Sequence, residues 1–175
     1  MKTVAEHLVD RHLDVSLHRP MVDEAERTAT FYLYNLSGAL VGYQQYRPEG
    51  EKKPQNNPKQ GKYFTYRKQP TVAVWGVESL HLTPHVVFLC EGVFDAARLT
   101  ERGTSALAVL SSNTGWDLRN WLGMLNRRVV AVCDGDKAGA QLAKFGDVSV
   151  CLLGGKDLGE ADDETVDFLL HHFVN

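Results

Sequence analysis

The sequence predicts an α/β protein. A parallel four-stranded sheet flanked by helices is expected, preceded by a small mixed α+β, largely antiparallel lobe. Three observations carry this. Four apolar runs without polar alternation occupy the second half: Val86–Cys90, Ala106–Leu110, Val129–Cys133 and Val148–Leu153. Strands of that kind are buried on both faces, as in a parallel sheet covered by helices. Segments of helical spacing separate them, and alternating strand and helix builds right-handed βαβ units. The first half instead carries aromatic and β-branched runs divided by short turns, the signature of antiparallel pairing.

Taken in order, Val4–Val15 reads as a short helix with Leu8, Val9, His12 and Leu13 as an uneven apolar stripe. Thr30–Leu36 and Ala39–Tyr46 read as a hairpin across Ser37-Gly38. Arg47–Gly61, with three prolines and several turn formers, is expected to be a mobile basic loop. Lys62–Tyr66 and Thr71–Trp75 read as two more short strands. The character changes after Pro84, so the expected division is a basic lobe, residues 1–84, and an α/β domain, residues 85–175. Helices are expected over Val93–Arg102, Trp116–Leu125, Ala138–Lys144 and Glu160–His172.

Composition narrows the class. With 175 residues, 43% hydrophobic and 23% charged, the chain has the balance of a soluble globular protein and enough length to bury a core. No apolar run approaches the roughly 20 residues of a membrane span. The N-terminal MKTVAEHLVDRHLD lacks the apolar region of a secretory signal, so no membrane partner is expected. Cys90, Cys133 and Cys151 stand far apart, which excludes a disulfide framework and a four-cysteine zinc site. A reducing cytoplasm is the expected setting. The net charge of −3 hides a polarity: Val41–Pro70 has seven Lys/Arg against two acids, and Gly155–Asn175 has six acids against one lysine. Such a chain can hold a polyanion at one end and metal ions at the other, or simply present two solvated faces.

Ligands bind at the carboxyl ends of strands in open α/β sheets. There the first strand ends in Glu91-Gly92, the third in Asp134-Gly135-Asp136, and the fourth leads to Asp157 and Glu160. Asp95 follows Glu91 by one helical turn and faces the same edge. Six carboxylates at one crevice repel each other unless a hard cation intervenes, and Mg²⁺ takes oxygen ligands, needing only one or two carboxylates per ion. Two such ions about 4 Å apart clamp the attacking and leaving oxygens of a phosphoryl transfer. A lone Asp-x-Asp is ordinarily a turn or cap. Asp162, Asp163 and Glu164 read as helix-start acids, an explanation that Asp157 and Glu160 could share. Three separate acidic strand ends on one edge are harder to explain that way.

These residues resemble the Toprim domain, primase type. VVFLCEGVFDAARL resembles the first Toprim motif, VVAVCDGDKAG the second, and LLGGKDLGE the third segment of phage primases. FYLYNLSGALVGYQQYR, KYF and AVWGVESL resemble the segments that precede Toprim in primases of the DnaG type. The resemblance implies metal-dependent synthesis of short RNA primers on single-stranded DNA, from ribonucleoside triphosphates, with Mg²⁺ or Mn²⁺. It implies Glu91 as metal ligand or general acid/base, Asp134 and Asp136 as the metal pair, and Asp95 and Asp157 as secondary acids. Glu160 matches the phage-type acid, and Lys62 a lysine that meets nucleotide phosphates. Arg67 and Lys68 stand in for a second basic motif that is not recognisable. Lys137 sits beside the metal pair, with a plain helix-surface lysine as its alternative.

Four metal-binding cysteines usually precede a primase core, and none are present. No P-loop is present either. A replicative helicase or a separate zinc-binding module is therefore expected from another chain, and the brevity suggests a phage or mobile-element source acting in the host cytoplasm. Ser111, Ser112 and Asn113 follow the second strand at the same edge and are candidates for nucleotide contact or for a cap. Trp75, Trp116 and Trp121 suit base stacking or core packing. Lys52, Lys53 and Lys59 suit phosphate contact or a solvated loop. The seven scattered histidines have no metal-ligand spacing and read as surface or structural. Two other functions fit the same residues: a Toprim metal-dependent nuclease acting on DNA or structured RNA, and a non-catalytic nucleic-acid-binding replisome module.

Overall fold

Thr3 and Glu6 close a reciprocal capping box that starts α1 (Val4–Asp10). A computed structural model describes residues 1–35, 37–52, 54, 57–68, 71–110, 115–134, 137–152 and 157–174. The single helix expected over Val4–Val15 is broken. His12 adopts a left-handed φ of 62°, and Asp14 caps a second short helix, α2 (Val15–His18), by accepting from the Ser16 and Leu17 N–H groups. An Asp side chain that offers the backbone a new start competes with helix continuation.

Four strands follow: β1 (Met21–Asp23), β2 (Thr28–Tyr34), β3 (Leu40–Tyr46) and β4 (Tyr63–Arg67). They form an antiparallel sheet in the order β1-β2-β3-β4. The β2–β3 turn is organised by Asn35, whose Oδ1 accepts from the Ser37 and Ala39 N–H groups. β1 was not expected, since three residues show no period. The strand expected over Thr71–Trp75 is reduced to two bridges, Val74 with Tyr34 and Trp75 with Ala108. That segment joins the two sheets.

The second sheet is parallel, in the order β6-β5-β7-β8, from β5 (Val86–Cys90), β6 (Ala106–Ala108), β7 (Arg128–Cys133) and β8 (Val148–Cys151). Its helices are α3 (Val93–Thr100), α4 (Gly115–Met124), α5 (Lys137–Leu142) and α6 (Asp163–Phe173). Every residue of β5 is buried, as its unbroken apolar run requires. The edge strand β8 alternates half-buried and exposed residues. Asp162 caps α6 by accepting from the Thr165 N–H.

Two cores flank this sheet. Val87, Leu89 and Ala131 pack with Leu118, Trp121 and Leu122 on the α4 side. Phe88 and Val130 face a larger core that runs from α3 and α6 into the antiparallel lobe. There Phe94 meets Phe31 at 5.9 Å and Tyr46 at 4.8 Å between ring centroids. The core is therefore continuous across the position where the sequence divides into two regions. His18 strengthens the same junction. Its side chain is fully buried, with Nδ1 2.5 Å from a Glu78 oxygen, Nε2 2.9 Å from Thr100 Oγ1, and its ring 4.2 Å from Trp75. Arg98, also buried, bridges α3 to α6 through Asp163.

Candidate active site

The parallel strands deliver three acids to one cleft, and a helix start adds a fourth. The cleft measures about 380 Å³ and is lined by Glu91 after β5, Asp95 in the first turn of α3, Asp134 after β7 and Asp157 beyond β8. The opposite wall comes from the antiparallel sheet, through Gln44 on β3 and Tyr63 and Thr65 on β4, and from Arg11 at the end of α1. This is the crevice at the carboxyl edge that a parallel sheet offers a ligand.

Local chemistry fixes each acid. The Glu91 carbonyl accepts from the Leu110 N–H at 2.8 Å, which ties the ends of β5 and β6. Asp95 Oδ2 accepts from the Gly92 N–H at 3.0 Å and caps α3. A Cβ on Gly92 would lie 2.7 Å from that oxygen, so glycine is what lets the carboxylate fold back. Asp95 Oδ1 accepts from the Gly159 N–H at 2.9 Å. Asp95 thereby anchors the Leu158–Glu160 turn, which Asp157 precedes. Asp134 is held by the close approach of Gly139 in α5, where a Cβ would stand 2.0 Å from the Asp134 carbonyl oxygen.

The electrostatics follow from burial. Desolvation raises the Asp95 pKa to about 6, with the neighbouring Asp157 and Asp134 charges pushing the same way against its two backbone hydrogen bonds. Burial likewise raises the Tyr63 phenol to about 12, so its hydroxyl remains a proton donor. Asp157 Oδ1 is buried without a hydrogen-bond partner among the described residues. Arg11 supplies a cation, its guanidinium 4.4 Å from the Phe94 ring centroid. Oxygen donors alone, one buried and unsatisfied, with a neighbour whose ionisation is suppressed by burial and by adjacent acids, fit a hard divalent cation. Among the described residues no three acids, histidines or cysteines stand close enough to form a complete ion cage.

Four predicted acids thus meet: Glu91, Asp95, Asp134 and Asp157. Glu160 closes the same turn but is exposed and does not line the cleft. Asp136 and Asn113 lie outside the described residues. Lys62 precedes β4 and is half-buried, Arg67 ends it, and exposed Lys68 follows, its N–H donating to the Val41 carbonyl. None of these three lines the cleft. Lys137 opens α5. Trp75 and Trp121 are core residues, whereas Trp116 is 78% exposed at the start of α4. Arg11, Gln44 and Thr65 were not singled out from the sequence, because they reach the cleft only through packing of the lobe. Tyr63 is different: it sits within the KYF element, beside the lysine that the motif singles out.

No protein-family model matches the chain, and comparison with curated proteins finds no match. Solved structures do match. The fold is that of DnaG-type primase catalytic cores. A primase from Aquifex aeolicus, comprising zinc-binding and RNA polymerase domains, is 18% identical, with a TM-score of 0.70 over 98% of this chain and 55% of that one. The E. coli primase catalytic core is 18% identical, with a TM-score of 0.63 over 83% of this chain and 52% of that one. A DnaG primase catalytic domain bound to single-stranded DNA is 16% identical, with a TM-score of 0.63 over 95% of this chain and 60% of that one. The chain therefore spans little more than half the length of the chains it resembles. Among the described residues no helix is long and apolar enough to cross a membrane.

Proposed function

We propose that this chain is a primase-like catalytic core of Toprim type, which joins ribonucleoside triphosphates into short RNA primers on a single-stranded DNA template. One observation carries the reading: acids from separate strand ends meet in one cleft, at the carboxyl edge of a fold shared with DnaG cores. In this reading Glu91, Asp134 and Asp157, with Asp136, hold Mg²⁺ or Mn²⁺. The bound ions would stabilise charge on the reacting phosphate oxygens. Glu91 is suited to take the proton of the attacking 3′-hydroxyl, since it is a carboxylate that follows β5 and lines the cleft beside Asp134. Asp95, with both oxygens accepting backbone N–H groups, positions the turn behind Asp157.

Arg11 brings positive charge to the phosphate side, and Tyr63 offers a hydroxyl donor. Lys62, Arg67, Lys68 and Lys137 attract nucleotide and template phosphates, and Asn113 contacts the nucleotide. Glu160 is assigned an outer role on the same turn. The basic lobe, residues 1–84, holds the template, and the Toprim domain, residues 85–175, carries the chemistry. A helicase or zinc-binding module from another chain supplies recruitment in the cytoplasm, for a phage-encoded chain that of the host.

The test is primer synthesis with single-stranded DNA of varied sequence, labelled ribonucleotides and Mg²⁺ or Mn²⁺. Asp134→Ala/Asp136→Ala and an end-labelled template run beside it. Short products that vanish in the double variant are expected. A shortened template without primers would replace the reading with a nuclease, in which water is the nucleophile. An unchanged template and no primers would replace it with a binding module.

A further inference from the structure

The face of the antiparallel sheet opposite the cleft is aromatic and basic. The strand registers place Tyr32 opposite Tyr43 and Tyr43 opposite Tyr66, one tyrosine row across β2, β3 and β4. The Tyr43 ring lies 5.6 Å from Tyr66 and 6.4 Å from Phe64. Tyr66 is 54% exposed. Hydrogen bonding continues one residue past each end of β4, from Arg47 N–H to the Lys62 carbonyl and from Lys68 N–H to the Val41 carbonyl. Alternation along the strand therefore sets Lys62, Phe64, Tyr66 and Lys68 on this face, while Tyr63 and Thr65 face the cleft. No acid occurs in residues 40–47 or 62–68.

We infer that this outer face is a stacking surface for single-stranded nucleic acid, which reaches the carboxylate cleft over the β4 edge. Rings spaced across a sheet match successive bases, whose faces stack without regard to sequence, and lysines at both ends match the phosphates. At its far end the row continues through Tyr34 into a cavity of about 680 Å³, walled by Trp75, Arg19, His81 and the acid Glu78, large enough for a nucleotide. β4 is an edge strand, so adjacent residues on it, Tyr66 outward and Thr65 inward, separate the two faces by one sheet thickness. The direction of travel toward the cleft rests on the proposed primase reading; the binding itself does not.

The experiment measures anisotropy of a labelled oligo-dT strand with the full chain, without nucleotides or metal, across a salt series. Tyr66→Ala should weaken binding roughly tenfold, and Tyr66→Phe should restore it. Lys62→Ala/Lys68→Ala should flatten the salt dependence by about one phosphate contact for each lysine. A hairpin duplex competitor should be insensitive to Tyr66→Ala. Equal affinity of natural and Tyr66→Ala chains for the strand, or no strand binding at all, would overturn the inference. Loss of primer synthesis with stacking intact would count against the catalytic reading alone.

Discussion

Asp95 shows how one buried carboxylate couples the cleft to stability. Its folded pKa is raised to about 6 from an ordinary 3.8, so the folded state holds the proton more tightly than the unfolded chain. The contribution of Asp95 to stability is then greatest below about pH 4, falls as pH rises toward 6, and is level above that. The difference of about two pH units corresponds to roughly 2–3 kcal/mol. In EDTA, the melting temperature of the natural chain should fall over that window relative to Asp95→Asn, which lacks this component. Mg²⁺ should shrink the fall, because a cation between the acids favours their charged forms. Identical pH profiles for the natural and Asp95→Asn chains would sink the argument. Gly139 is a second single-residue constraint. Its missing side chain leaves room for the Asp134 carbonyl, so Gly139→Ala must displace one of them. A loss of about 1–3 kcal/mol is expected in urea titrations, and on the proposed primase reading primer synthesis should fall further than stability alone explains.

Elements were legible where their physics is local. The unbroken apolar runs identified β5 and β7, whereas the last helix, expected from Glu160, starts at Asp163 after the Asp162 cap, because Leu158–Glu160 forms a separate turn. Elements that depend on partners were not legible. β1 is three residues paired to β2, and Val74 and Trp75 are defined by bridges to two different sheets. The break between α1 and α2 was hidden because the apolar spacing of Val4–Val15 suits one continuous helix, while Asp14 acts by capping. The candidate acids were legible as strand ends, yet Arg11 was not, since the position of α1 is set by tertiary packing. α2 illustrates what such packing holds. Only four residues long, it is anchored by His18 to Glu78 in the Val77–His81 turn and to Thr100 at the end of α3. His18→Ala would leave a cavity beside Trp75 and remove a partner from half-buried Glu78 and from Thr100, whose hydroxyl keeps the Ala97 carbonyl, a loss of about 2–4 kcal/mol. Chemical denaturation should report it directly. A loss below half a kilocalorie would mean that α2 is not anchored this way.

At the scale of the whole molecule, the two sheets have different sequence signatures but one core. Phe31 and Tyr46 belong to the antiparallel lobe, Phe94 to the first helix of the parallel domain, and the three rings meet in a fully buried cluster with Val4, Leu8 and Leu158. Trp75 adds backbone pairing to Ala108, so the junction is bonded as well as packed. The cleft is a product of the same junction, with acids from one side and Arg11, Tyr63 and Thr65 from the other. A fragment of residues 85–175 would expose the Phe94 side of α3 and lose every lobe-side wall of the cleft. Unfolding of the full chain should therefore be a single transition, with tryptophan fluorescence and far-ultraviolet circular dichroism tracing the same curve. Phe94→Ala should move both probes together, by about 3–4 kcal/mol, and the fragment alone should melt without a cooperative transition. Two separated transitions in the full chain would instead mean that the lobe folds independently, and the cleft would then be an interface between bodies free to part.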